Sequence, residues 1–183
     1  MTAILFTEDW SFQRETDKTS TLVRLPHDAM ISEPRSKDAS TGNHGGYFPG
    51  GVYRYSKQWQ VPADADKKLY RLFFEGVYGD TSVSLDGREV ARCNSGYRAF
   101  YAPLQGLVPG TIVTIEVVAD NSKTPNSRWY SGSGIYRQVW LDVRNPVHIS
   151  DDGIALVTRS LSPCPVVDIT VRVEGLAKSC SVI

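Results

Sequence analysis

The chain has 183 residues, 41% of them hydrophobic, and sets 20 Lys and Arg against 20 Asp and Glu, with a pI of 6.8. That length buries roughly 70% of the unfolded surface, enough for one full domain and a remnant of a second. A balanced charge creates no field to attract nucleic acid or an anionic membrane, which excludes both as expected partners.

The first nine residues lack a basic segment, and their apolar run is too short for a signal peptide. No stretch reaches transmembrane length, so a soluble, cytoplasmic chain is expected. Cys93, Cys164 and Cys180 form an odd set without CxxC spacing. Such a set supports neither a disulfide framework nor a zinc site. No metal or cofactor is implied.

The first clear strand runs over residues 53–61, where Tyr53, Tyr55, Trp59 and Val61 alternate with Arg54, Ser56, Gln58 and Gln60. Lys57 falls on the apolar face, where its stem can snorkel. Residues 69–75 are nearly continuous in apolar and aromatic side chains, the pattern of a central strand. Residues 81–85, the Asp86-Gly87 pair and residues 88–91 read as a hairpin, since Asp-Gly suits the positive φ angles of a type I′ turn. Residues 103–107 carry the best helical hint in a chain otherwise poor in helix.

Val113, Ile115, Val117 and Ala119 alternate with Thr114, Glu116 and Val118, and Val139, Leu141 and Val143 with Gln138, Trp140 and Asp142. Both are half-buried strands, and the set predicts an antiparallel sandwich. After Asn145-Pro146 come residues 147–149 and 154–157, read as one continuing or new strand. Val167, Ile169, Val171 and Val173 then alternate with polar partners. Two or three strands are marginal alone. The division expected is therefore one domain over 1–146 and the start of a second over 147–183.

Between the strands near 119 and 139 lies a glycine-rich loop carrying Asn126, Arg128, Trp129 and Tyr130. Large rings on a connector imply contact with a ligand or another domain. The same loop holds Gly132-Ser133-Gly134, which lacks the GxxxxGK[ST] pattern and reads as a turn. His44 has no partner at metal-ligand spacing. His27 and Asp28, following Pro26 with no nucleophile in sequence reach, are read as organising their loop.

Asp9-Trp10-Ser11-Phe12, Leu25-Pro26-His27-Asp28, residues 45–54, Phe74-Glu75-Gly76-Val77, Leu85-Asp86-Gly87 and residues 126–137 follow one another in an order that resembles the N-terminal domain of glycoside hydrolase family 2, its β-galactosidases most closely. The resemblance spans residues 4–150. It implies an all-β chain: an antiparallel jelly-roll sandwich, galactose-binding-domain-like, then the first strands of an incomplete immunoglobulin-like sandwich. A (β/α)8 barrel carrying the chemistry is expected beyond these.

Retaining glycoside hydrolysis needs two carboxyl groups about 5 Å apart, and in the family both come from the barrel. The chain is thus expected to be inactive alone, with no catalytic residue. Ser32-Glu33-Pro34 echoes an Asn-Glu-Pro acid/base motif but lacks its Asn and sits in a polar loop.

Planar hydrogen-bonding groups and aromatic rings bind sugars, so the resemblance gives Asn126, Arg128, Trp129 and Tyr130 a substrate-rim role for a β-galactoside, completed by the barrel. Domain docking is the plain alternative for them. Tyr78 stands where relatives place a polar residue that touches the sugar, and its hydroxyl can donate such a bond, although a buried core tyrosine is the preferred reading. Arg137 is expected to pair with a carboxylate. The family usually carries Trp where Ala29 stands. A stand-alone carbohydrate-binding module and a structural domain buttressing the barrel or a homo-oligomer interface are the other readings.

Overall fold

The computed structural model describes residues 2–123 and 127–175. The alternation at residues 53–61 becomes β4 (Val52–Gln60), which buries Tyr53 and Tyr55 and leans Trp59 against the core. Lys57 does snorkel: its ammonium lies 5.1 Å from the Phe6 ring centroid and donates to the Glu8 carbonyl at 2.8 Å. On one flank β4 pairs with β9 (Ile112–Asp120), and on the other with β2 (Trp10–Arg14). Adding β3 (Thr21–Val23), β6 (Asp80–Leu85) and β7 (Arg88–Cys93) gives a six-stranded antiparallel sheet, β3-β2-β4-β9-β6-β7.

The second sheet has the order β1-β10-β5-β8, from β1 (Thr2–Leu5), β10 (Val139–Arg144), β5 (Leu69–Phe74) and β8 (Phe100–Pro103). β5 is central, as its sequence predicts, but its burial alternates. Tyr70, Leu72 and Phe74 face the core while Arg71 and Phe73 point outward, where Phe73 meets the Tyr101 ring at 4.8 Å. The core between the sheets is built from Trp10, Tyr53, Tyr55, Leu72, Phe74, Ile115, Val117 and their neighbours. Trp10 is wholly buried, and its indole N–H donates to the Phe6 carbonyl at 2.9 Å, so the only polar atom of the ring is satisfied.

The 86–87 turn forms as expected, with φ of 48° at Asp86 and 77° at Gly87. Residues 103–107 are not helical. Pro103 pairs with Arg71 at the end of β8, the Leu104 N–H donates to the Tyr70 carbonyl, and Gly106 takes φ +79°. Edge pairing to β5 therefore claims the backbone donor that a helix would need. The described helix is confined to two short 3-10 turns, Gly42–Gly45 and Ala65–Lys67. Strands β1 to β3 carry no pattern long enough to predict them. They are short, and β1 is exposed along its length.

Two long strands, β11 (His148–Ser160) and β12 (Val166–Glu174), form a separate two-stranded sheet. It carries exposed Ile154, Leu156, Val157 and Ile169. A bulge between Ile149 and Ile154 swings Asp151 back to the sandwich, where it meets Arg71 and Arg144, both also bound to Asp142. Asp142, expected on a solvent face, is buried beneath these arginines. Cys93 is buried and Cys164 exposed; Cys180 lies outside the described residues. Among the described residues, no helix is long and apolar enough to cross a membrane.

Candidate functional site

One end of the sandwich gathers the connector between β5 and β6, the connector between β7 and β8, the segment around residues 27–30, and the loop after β9. Backbone pairing ties three of them together, and the Tyr136 hydroxyl, donating to the Gly96 carbonyl at 2.8 Å, holds the β7–β8 connector. Tyr78 and Gly134 exchange two hydrogen bonds, at 2.9 and 3.1 Å, while the His27 and Ala29 amides donate to the Ile135 and Ser133 carbonyls at 2.8 and 2.9 Å. Asn121 fixes the base of the loop, its side-chain amide donating to Ser133 Oγ at 2.5 Å and its backbone amide to the Gly51 carbonyl at 2.8 Å. The glycine at 134 has φ +80°, and a Cβ there would lie 2.1 Å from the Tyr55 hydroxyl. Only glycine allows the loop to cross β4 so closely.

Of the five residues singled out in the sequence, the four that are described separate in space. Arg128 and Trp129 are exposed, the latter at 60%. The Trp129 indole N–H donates to the Tyr97 hydroxyl at 3.1 Å, and the Tyr97 ring meets Tyr78 edge-on at 5.5 Å. Tyr78 is buried, and burial is the main cause that raises its phenol pKa. Tyr130 turns inward. Its hydroxyl donates to Asp28 Oδ2 at 2.6 Å and its ring meets Phe48 edge-on at 4.8 Å; burial, then Asp28, holds its pKa well above the usual phenol range. Asn126 lies outside the described residues.

Beside Tyr97 opens a cleft of about 390 Å³ whose walls include Tyr78, Asp80, Asn94, Asp120 and Lys123. Lys123 pairs with Asp80 at 2.5 Å, which raises the lysine pKa. The Ser122 hydroxyl and amide, donating to Asp120, lower that carboxyl's pKa. Sequence reasoning missed Tyr97, which follows Asn94-Ser95-Gly96. An aromatic ring in a polar turn was its available signal, the same one that marks Trp129. Gly96 admits the Tyr78 ring, since a Cβ at that glycine would fall 2.3 Å from it.

Asp28 and Glu33 are both already engaged. Asp28 accepts the Met30 and Ser133 amides, each at 3.0 Å, besides Tyr130, so it organises its loop as its setting after Pro26 implies. Glu33, the motif echo, accepts the Tyr53 hydroxyl at 2.9 Å and pairs with Arg14 at 3.5 Å. Burial and Glu33 together push the Tyr53 pKa upward. Arg137 has no carboxylate partner among the described residues. It is exposed, with its guanidinium 5.5 Å from the Tyr136 ring. No group of three or more metal-ligating side chains occurs among the described residues.

No protein-family model matches the chain. The β-galactosidase BoGH2A of Bacteroides ovatus is 34% identical over 167 residues, covering 85% of this chain and 20% of that protein. A family 2 glycosyl hydrolase from Bacteroides cellulosilyticus matches with a TM-score of 0.78 at 28% identity, over 87% of this chain and 23% of its own. The chain belongs to glycoside hydrolase family 2. A β-glycosidase from Bacteroides vulgatus matches this family 2 domain with a TM-score of 0.86 at 28% identity, over 98% of this chain and 25% of its own. The domain spans about a fifth of the length of the curated relatives it matches. Its all-β antiparallel architecture is that of the N-terminal sandwich of family 2 enzymes.

Proposed function

We propose that this family 2 domain is the non-catalytic, jelly-roll sugar-binding unit of a β-galactosidase-type hydrolase, presenting a rim to an active site built elsewhere in a longer polypeptide. The observation that carries the reading is the loop after β9, pinned at its base by backbone pairing yet displaying Arg128 and Trp129 outward. A guanidinium supplies a fork of donors for sugar hydroxyls, and an indole supplies an apolar face for their C–H bonds. Tyr97 braces that indole, while Tyr130 and Tyr78 support the display from below.

Hydrolysis is assigned, on this reading, to a barrel outside this domain. The relation to BoGH2A supports a β-galactoside as substrate. The two long strands after residue 146 read, on this proposal, as the first pieces of an immunoglobulin-like sandwich.

Arg128→Ala in the enzyme that carries this domain is expected to lower kcat/KM for an aryl β-galactoside about tenfold, the loss of one charged hydrogen bond, with Tm unchanged. Unaltered kinetics would remove the rim role. The 183-residue chain alone is expected to release no aryl alcohol from the same substrate, and hydrolysis by it would refute the assignment of the chemistry to a barrel.

A further inference from the structure

We propose that Asp28 is a positioning residue for the rim: its carboxylate, with Tyr130, latches the stretch of chain that presents Arg128 and Trp129. The ligand of the rim rests on the function proposed above, whereas the latch stands on geometry alone.

Asp28 draws donors from two places far apart in sequence. Oδ1 accepts the Met30 amide beside it and the Ser133 amide 105 residues away, and Oδ2 accepts the Tyr130 hydroxyl 102 residues away. Backbone pairing holds only residues 133–135 against 27–29. The Asp28 carboxylate carries that attachment three residues further, to Tyr130. Gly132 lets it close: a Cβ at that position would fall 3.0 Å from Asp28 Oδ2, and its φ is +70°.

On the far side, the Tyr130 ring sits edge-on to Phe48, over which the Arg35 guanidinium lies at 5.2 Å. Tyr130 is therefore held at both its ring and its hydroxyl. Trp129 is the next residue outward, with its carbonyl accepting from Ser127 Oγ at 2.6 Å and its indole donating to Tyr97. A displacement of Tyr130 is transmitted to Trp129 through a single peptide unit.

The latch changes the part Tyr130 plays. Its proton is committed to Asp28, so it is not a free donor for a sugar hydroxyl. Asp28 holds that proton's partner position with three donors around it. Both act through the residues they place.

The test uses the 183-residue chain labelled uniformly with 15N, which reports the Ser133 amide together with the four tryptophan indoles, those of Trp10, Trp59, Trp129 and Trp140. Tyr130→Phe removes one hydroxyl and keeps the ring on Phe48; Asp28→Asn removes the charge. Both are expected to shift the Trp129 indole resonance and to speed exchange of the Ser133 amide about tenfold. The Trp10, Trp59 and Trp140 resonances should stay in place.

Faster Ser133 exchange with an unmoved Trp129 resonance would overturn the proposal, because the attachment would then be structural without reaching the rim. Unchanged Ser133 exchange in both variants would overturn the latch itself. Should Asp28→Asn unfold the chain, Tyr130→Phe decides. Failure of the rim reading shows separately, as unaltered kinetics in Arg128→Ala, and leaves the resonance result intact.

Discussion

Replacing Asp151 by alanine should loosen the joint between the sandwich and the β11–β12 hairpin. Asp151 Oδ1 accepts from Arg71 Nη2 at 2.8 Å and from Arg144 Nη2 at 2.6 Å, and Arg71 Nη1 reaches Oδ2. Charge-assisted hydrogen bonds of this kind are each worth about 1.5–3 kcal/mol when shielded. The Asp151 side chain is 42% exposed, so solvent screening cuts the total steeply, to about 1.5 kcal/mol. Both arginines keep Asp142 as a partner, which prevents a stranded buried charge. For a chain of this size that loss lowers Tm by about 3–6 °C.

The pH dependence fixes the cause. Hydrogen bonds from Arg71, then Arg144, depress the Asp151 carboxyl far below its ordinary value against an opposing effect of burial. A depressed carboxyl contributes stability that is present above the unfolded pKa of about 3.9 and is lost as pH falls through the folded value. Circular-dichroism melts of wild type and Asp151→Ala should therefore differ fully at neutral pH, and the gap should narrow below about pH 4. Asp151→Asn, equal in size but uncharged, should follow the alanine variant at neutral pH. A gap of constant size down to about pH 2, or none at neutral pH, would refute an electrostatic joint.

Gly134→Ala must place a methyl 2.1 Å from the Tyr55 hydroxyl at φ +80°; the combined strain and overpacking should cost about 2–4 kcal/mol in urea denaturation. His27 is held neutral, because burial lowers its pKa against the opposing charge of Asp28. The unfolded state therefore binds the proton first, and stability should decline as pH falls below about 6.5. His27→Gln should flatten that slope in melts between about pH 7 and 5, and an unchanged slope would assign it to another group.

Much of the sandwich was legible because burial on one face imposes a period of two. Residues 53–61, 113–119 and 138–143 announced themselves in this way, and Asp86-Gly87 marked its turn through the φ angles it tolerates. Short β1 to β3 were not legible, since three to five residues give too few alternations. The helical hint at 103–107 failed because β5 competes for the Leu104 amide, a partner more than thirty positions away.

For the site, the sequence delivered the loop but not its orientation. Arg128, Trp129 and Tyr130 are neighbours in the chain, and the family resemblance gave them one shared role, with domain docking as the alternative. Contact with Asp28 and Phe48 turned Tyr130 inward, and Tyr97 braced Trp129 from a different connector.

The sequence by itself determined the family, the all-β class and the loop that carries Arg128 and Trp129, because alternation, turn residues and motif order are local properties of the chain. Tertiary structure decided which side chains of that loop face outward, that the Asp28 carboxylate accepts three donors from two stretches of chain, and that Asp151 ties the hairpin to the sandwich. Each of those outcomes depends on a hydrogen bond or ring contact between residues 7 to 105 positions apart, a separation over which only the packed sheets fix distance and direction.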